Sequence, residues 1–548
     1  LKLQIMKTSK YFLLTIAILV SLNCAAQSVT EKPKLVVGIV VDQMKQEYLT
    51  RYYSNFGEGG FKRLIEEGFM ARNAHYNYSS TSTGPGHASI YTGTTPSVHG
   101  IIENNWYSRL LKRSVYCAED TAASAVGGST RSGQISPRNL YSSTITDELK
   151  IYTQKKGKVI AMSIKDRGSA LPGGHLSDGS YWYDSGTGEF MTSDYYMEDL
   201  PTWLKNFNGQ KKADAYLDMT WDLTLPEEKY TASGPDDSAY ERGFKGKETP
   251  TFPYNLKALR TTNRNYSLLP NTPYGNSILT DLAQAAIDGE QLGQDDIPDF
   301  LAISYSSTDY VGHNFGPQSK EVEDLYIRLD RELAKLFETL DAGVGKGQYT
   351  VFLSADHAVA ENSIRMKNDG FRADNANLRA MSKVITKALN EKFGDQEWIE
   401  SFSKIIHLDH DLITENKIDL YEMQIFIAEQ MMKQEGVHVA LTARDLVRND
   451  FSTGVKHLIQ NAYHTKESGD VVIVLDPAWQ TGGSKGTGHG NPWTYDTHIP
   501  ILFYGWGVKS GQSVRQIHIT DIAPTISMIL NMRLPNGATG QPIQELIK

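Results

Sequence analysis

Six side chains in this chain of 548 residues are of types that hold metal ions: Asp42, Asp309, His313, Asp356, His357 and His489. Three carboxylates and three imidazoles form a mixed oxygen and nitrogen donor set, which suits zinc. Asp309 and His313 stand four apart, so one helical turn would aim both at one ion. Asp356 and His357 are adjacent and would need a sharp turn to converge. His489 lies in the glycine-rich stretch KGTGHGN (485–491), where a backbone can bend close to a metal. Two metal ions a few ångström apart would bind the attacking and leaving oxygens of a phosphoryl transfer. Such chemistry needs a nucleophile. Residues 79–93 read SSTSTGPGHASIYTG and offer four consecutive hydroxyls, Ser80 to Thr83. By composition this is an ordinary turn. Thr83 differs from its neighbours in preceding Gly-Pro-Gly, at the expected start of a helix, where backbone N–H groups favour a phosphate.

These residues need elements to position them. Apolar runs rich in β-branched residues at 34–41, 158–164, 300–305, 349–354, 470–475 and 498–504 read as strands buried on both faces. Between them lie helical patterns. Val322, Leu325, Leu329, Leu333, Leu336 and Leu340 recur three or four apart, with Ser319 as cap and Glu321, Glu323 and Asp324 in the first turn. A last helix is expected from Asp521 to about Asn531. Alternating strands and helices predict an α/β fold, a doubly wound, mainly parallel sheet. In such sheets the site lies beyond the carboxyl ends of the strands. Asp42 follows the first run, Lys165, Asp166 and Arg167 the second, Asp309 and His313 the third, and Asp356 and His357 the fourth. Taken singly, each is an ordinary capping or surface residue. Together they gather at one edge. Residues about 180–290 and 360–465 read as insertions that form caps over that edge.

Composition is that of a globular protein, 40% hydrophobic and 22% charged. A net charge of −9 argues against nucleic acid as a partner. Residues 1–26 read as a secretory signal peptide, with 1–5 upstream of Met6 and an apolar run from Tyr11 to Leu22 too short for a convincing membrane span. The remainder, 33–548, is expected to be one catalytic domain, exported to the periplasm without a transmembrane span. Lipid attachment at Cys24 is the alternative processing. Cys117 is the other cysteine and is expected to be buried and structural, with no disulfide. The sequence specifies no oligomeric state.

The stretches VVDQM (40–44), TSTGPGH (81–87), NNWY (104–107), SIKDRGS (163–169), STDYVGHNFGP (307–317), SADH (354–357) and GTGHGNPWTYDTHIP (486–500) together resemble the alkaline phosphatase superfamily. Within it the chain is most similar to the threonine-nucleophile, monoester-specific, exported alkaline phosphatases (PafA-like), from about residue 33 to the C-terminus. The resemblance implies two Zn2+ ions and small phosphate monoesters as substrates. It implies Thr83 as a nucleophile that becomes phosphothreonine, with Thr83, Asp42, Asp356 and His357 around one zinc. Asp309, His313 and His489 would hold the other, at the leaving oxygen. Asn104, Lys165 and Arg167 would grip the phosphoryl oxygens, with Lys165 standing where some relatives place magnesium. Lys and Arg two apart on an extended segment would face one side, and both suit a phosphate. Ala358 departs from the glycine usual after SADH, which raises the question of whether that turn needs a positive φ. A phosphodiesterase or nucleotide pyrophosphatase of the same superfamily would share these features but lack the Lys/Arg pair. A non-catalytic zinc-stabilised surface protein would lack a ligand or the nucleophile, and none is missing. No Cys or Ser stands in a C/S-x-P-x-R context, which argues against a sulfatase.

Overall fold

The structure, a computed structural model, describes residues 32–548; the expected signal peptide and Cys24 lie outside them. Five fully buried strands form the parallel centre of a ten-stranded sheet. Side by side they are Tyr349–Ser354, Leu35–Val41, Asp299–Tyr305, Val159–Ser163 and Gly179–Asp184. Burial on both faces explains the apolar character of the first four. Ile501–Gly505 lies beyond Tyr349–Ser354 and runs antiparallel to it and to Phe69–His75. Gly511–His518 closes that side, and Glu189–Ser193 and Ala125–Val126 extend the other. The sheet is therefore α/β and mainly parallel, with antiparallel strands toward both edges.

Register sets the site. Val40 pairs with Ser304 on one side and Ser354 on the other, and Ser304 pairs with Ser163. One row thus crosses four strands. Two residues beyond it stand Asp42, Asp356 and Lys165; Asp309 follows five beyond, on the helix Ser307–Phe315. Ser319 caps the helix Lys320–Leu340 by accepting a hydrogen bond from Val322 N, and the leucine stripe read from the sequence is buried. The last helix spans Ile522–Ile529 after a short turn.

The run Val471–Leu475 is a strand, but it does not join the large sheet. It lies in a four-stranded antiparallel sheet with Ile399–Phe402, Ile405–Leu408 and Val437–Thr442. The misreading has a physical cause. Val471, Ile473 and Leu475 face one apolar cluster while Val474 faces another, so this strand too is buried on both sides. The first of those clusters draws only on residues 376–479 and includes Ile385, Leu389, Met423 and Ile427 from the helices packed on that sheet. In the stretch 180–290, Gly179–Asp184 and Glu189–Ser193 belong to the large sheet. The helix Tyr274–Glu290 buries Leu279, Leu282 and Ala286 in the main core. Tyr181, Trp182 and Tyr183 made that first strand look polar, although all three are buried.

Asp470 joins the four-stranded sheet to the hairpin of residues 105–116. Its carboxylate accepts from Leu408 N at 2.8 Å, His410 Nε2 at 2.8 Å and Gln424 Nε2 at 2.9 Å. It also accepts from Arg109 Nη2 at 2.8 Å, on the hairpin formed by Asn105–Ser108 and Arg113–Tyr116. Burial alone would raise its pKa, but the His410 hydrogen bond and the Arg109 charge outweigh it and hold Asp470 at about 2. The folded value lies below that of an unfolded aspartate, so this stabilisation is present above about pH 4 and fades as pH falls toward 2. Asp470→Asn should therefore cost about 2 kcal/mol at neutral pH. Denaturant unfolding at a series of pH values should show the deficit shrinking toward pH 2; a deficit constant with pH would contradict this account.

Candidate active site

The stretch that holds the four hydroxyls folds as a turn followed by the helix Thr83–Thr92, every residue of which is buried. Thr83 is its first residue and is 1% exposed. Glycine is required just after it: a Cβ on Gly86 would overlap the carbonyl of Asp356 and reach Tyr76 Oη. The helix therefore packs directly on the turn after Ser354. His87, one turn on, places Nδ1 2.8 Å from the Thr83 carbonyl and Nε2 2.8 Å from Ser304 Oγ, tying the helix to the sheet.

Two cations meet at the Thr83 hydroxyl. Lys165 Nζ and Arg167 Nη2 each lie 3.4 Å from Thr83 Oγ1. They do not sit on an extended segment. Arg167 opens the helix Arg167–Gly173, and Asp166 caps it by accepting from Arg167 N. The two side chains converge because one precedes the helix and the other begins it. Tyr116 Oη accepts from Arg167 Nη1 at 3.1 Å and donates to Asp166, which steadies the guanidinium. Asn104 Oδ1 accepts from Gly84 N at 2.7 Å, fixing its amide beside the same helix start. Cys117 is buried beneath it, close to Gly84, and burial pushes its thiol up to about 12. It is inert packing.

The carboxylates and imidazoles gather beside Thr83. Lys165 Nζ lies 2.7 Å from Asp42 Oδ2 and 2.6 Å from Asp309 Oδ2. His357 Nε2 stands 3.4 Å from Asp42 Oδ1 and 3.7 Å from Asp356 Oδ2. These three atoms are buried and lack hydrogen bonds. Ligands of a tetrahedral zinc at about 2.0–2.1 Å lie about 3.3 Å from one another, so the trio fits a small cation. On the other side, Asp309 Oδ1 lies 3.1 Å from His313 Nε2 and 3.6 Å from His489 Nε2. Two donor sets emerge, Asp42, Asp356 and His357, and Asp309, His357 and His489. His357 reaches both, its ring stacked on that of His489 with centroids 3.6 Å apart, while His313 touches the second set through Asp309.

The imidazoles are oriented alike. Nδ1 of His313 faces Thr487 O at 2.8 Å, Nδ1 of His489 faces Thr81 O at 2.8 Å, and Nδ1 of His357 faces Ala358 O at 3.0 Å. A carbonyl accepts only, so each Nδ1 carries a proton, and Nε2 is the ring atom left to face a metal. Burial, then the neighbouring Asp356, pushes Asp42 up, and burial raises Asp356. Burial would raise Asp309 as well, but His313 and Lys165 hold it well below the usual carboxylate range. A divalent ion between Asp42 and Asp356 would offset their repulsion.

Two neutral residues escape a reading of the sequence. Thr81 donates to Asn491 O at 3.0 Å, accepts from Gly490 N at 3.1 Å, and offers its carbonyl to His489. It thereby joins the loop of His489 to the Thr83 turn. Gln43 bridges the two donor sets. Ala358 takes no positive φ, so that turn does not need the glycine. Its N–H donates to Asp496 O at 2.9 Å.

Fold and edge-bound donors together define an α/β protein of the alkaline phosphatase superfamily. The model of the type I phosphodiesterase / nucleotide pyrophosphatase family matches residues 36–499, and the chain belongs to that family. It is 44% identical to a calcium-transporting ATPase of Myroides odoratus, over 94% of this chain and 95% of that one. It is 44% identical to alkaline phosphatase PhoV of Synechococcus elongatus, over 94% and 93%. It is 42% identical to alkaline phosphatase PafA of Elizabethkingia meningoseptica, over 99% and 100%. A crystal structure of alkaline phosphatase PafA superposes with a TM-score of 0.91, covering 95% of this chain and 100% of that one. Among the described residues, no helix is long and apolar enough to cross a membrane.

Removing bound metal with a chelator should lower the thermal unfolding midpoint by several degrees, because Asp42 and Asp356 are left buried side by side. Asp356→Asn should carry less metal by elemental analysis. Full metal content in that variant would contradict the donor assignment.

Proposed function

We propose that the protein is a zinc-dependent alkaline phosphatase that hydrolyses phosphate monoesters through Thr83. The observation that carries this reading is the convergence of Lys165 and Arg167 on Thr83 Oγ1, each at 3.4 Å. A terminal phosphoryl group presents three non-bridging oxygens and up to two charges, and its transfer depends on positioning and charge neutralisation. Arg167 donates paired hydrogen bonds, Lys165 a compact charge, and Asn104 a fixed amide. A diester offers one charge fewer and an additional bulky group at that position. That distinction favours monoesters over the cleavage for which the matched family is named, and the alkaline phosphatase relatives support it.

Asp42, Asp356, His357 and Thr83 would hold one zinc, and Asp309, His313 and His489 the other. Bound there, the ions supply a lowered pKa at the nucleophile and charge compensation at the departing oxygen. Thr83 Oγ forms a bond to phosphorus as the ester P–O bond breaks, and the alcohol leaves with a proton. Water then cleaves the phosphothreonine, releasing phosphate and restoring the hydroxyl. Lys165, Arg167 and Asn104 hold the transferred group through both steps. The alternative is a diesterase of the same family. Export to the periplasm rests on residues 1–26 of the sequence.

Purified protein should hydrolyse p-nitrophenyl phosphate far faster than bis-p-nitrophenyl phosphate. Thr83→Ala should lose at least about a thousandfold in kcat/KM, roughly 4 kcal/mol of transition-state stabilisation. Full activity in that variant would remove Thr83 from the chemistry. Lys165→Ala and Arg167→Ala should raise the diester-to-monoester ratio; an unchanged ratio would refute the specificity argument.

A further inference from the structure

Gln43 follows Asp42 directly and is 2% exposed. Its backbone has a φ of +68°, where a residue with a Cβ is strained and glycine is not. That conformation turns its N–H toward Asp356 Oδ1, at 3.1 Å. The side chain runs the other way, and Nε2 donates to Asp309 Oδ1 at 2.6 Å. One residue therefore grips a carboxylate from each donor set. The helix Ser307–Phe315 makes room for it at Gly312, between Asp309 and His313, where a Cβ would overlap Gln43 Oε1. A glycine at 43 would adopt this backbone without strain and would keep the N–H to Asp356. What it would lose is the amide on Asp309.

We infer that Gln43 is a positioning residue that orients Asp309 toward its ion. The inference rests on the two-ion reading above. A carboxylate that accepts from Gln43 and from Lys165 has its rotation fixed, so its remaining lone pair is aimed. The two donors of Gln43 differ in origin. The one to Asp356 belongs to the backbone and survives substitution; the one to Asp309 belongs to the side chain and does not. Loss of the side chain therefore weakens one site and spares the other.

The test uses the zinc-loaded protein and follows zinc release to a chromogenic chelator. Unaltered protein should release two equivalents in two phases, with the phase lost in His313→Ala marking the Asp309 site. Gln43→Gly should accelerate that phase 10- to 100-fold and leave the other unchanged. Gly312→Ala, which displaces the amide while leaving Gln43 in place, should reproduce the effect. If Gly312→Ala proves insoluble, Gln43→Gly decides alone, since its backbone conformation is natural to glycine. Unchanged release, equal acceleration of both phases, or acceleration confined to the Asp356 site would overturn the inference. Fewer than two zinc equivalents in the unaltered protein would instead defeat the two-ion reading, and this inference with it.

Discussion

Three carboxylates buried at one edge of a sheet are the constraint on which the rest of this structure depends. Asp42 and Asp356 are fully buried and Asp309 is 4% exposed. Desolvating such groups costs several kcal/mol each unless positive charge and hydrogen-bond donors surround them. Every element that reaches the edge supplies some of that compensation. Lys165 spans Asp42 and Asp309, Gln43 spans Asp356 and Asp309, and His313 Nε2 stands 3.1 Å from Asp309 Oδ1. The strand register brings the carboxylates together, and the same register brings the groups that make their burial tolerable.

Much of this could be read from the residues alone, because the information is local. The apolar runs ending at Val41, Ile164, Tyr305 and Ser354 mark strands, and the polar residues after them mark the edge. The histidines and aspartates are chemically conspicuous. Thr81 and Gln43 are not. Their roles lie in hydrogen bonds to partners 410 and 266 residues away, and neutral side chains carry no local sign of such partners. Direction is also absent from a short apolar run, which is why Val471–Leu475 could be taken for a strand of the large sheet. Three residues such as Lys165-Asp166-Arg167 do not distinguish an extended segment from a helix start. The cap Asp166 provides decides that point.

The four-stranded sheet and its helices have their own apolar cluster and join the hairpin 105–116 through Asp470 and Arg109. Through Tyr116 the same hairpin touches Arg167. The edge that gathers the carboxylates is built from the main sheet, whereas the surroundings of Arg167 are shared with this hairpin. The family includes proteins named for diester cleavage, and relatives of this chain are named alkaline phosphatases. In our reading the difference lies in the cations around the phosphoryl group and leaves the ion-holding edge unchanged.

The contact at Gly86 has a mechanical meaning. Hydrogen bonds and ion pairs behave as springs: they stretch, and thermal motion samples their length. The helix that begins with Thr83 meets the carbonyl of Asp356 with no methyl group's width between them. Repulsion at that distance rises far more steeply than any attraction. The hydroxyl is therefore located as a machined part is, against a stop, and its reference surface is the same turn that presents Asp356 and His357. The helix cannot move closer to that turn, so the Thr83 hydroxyl and the groups beside it keep a least spacing set by contact alone.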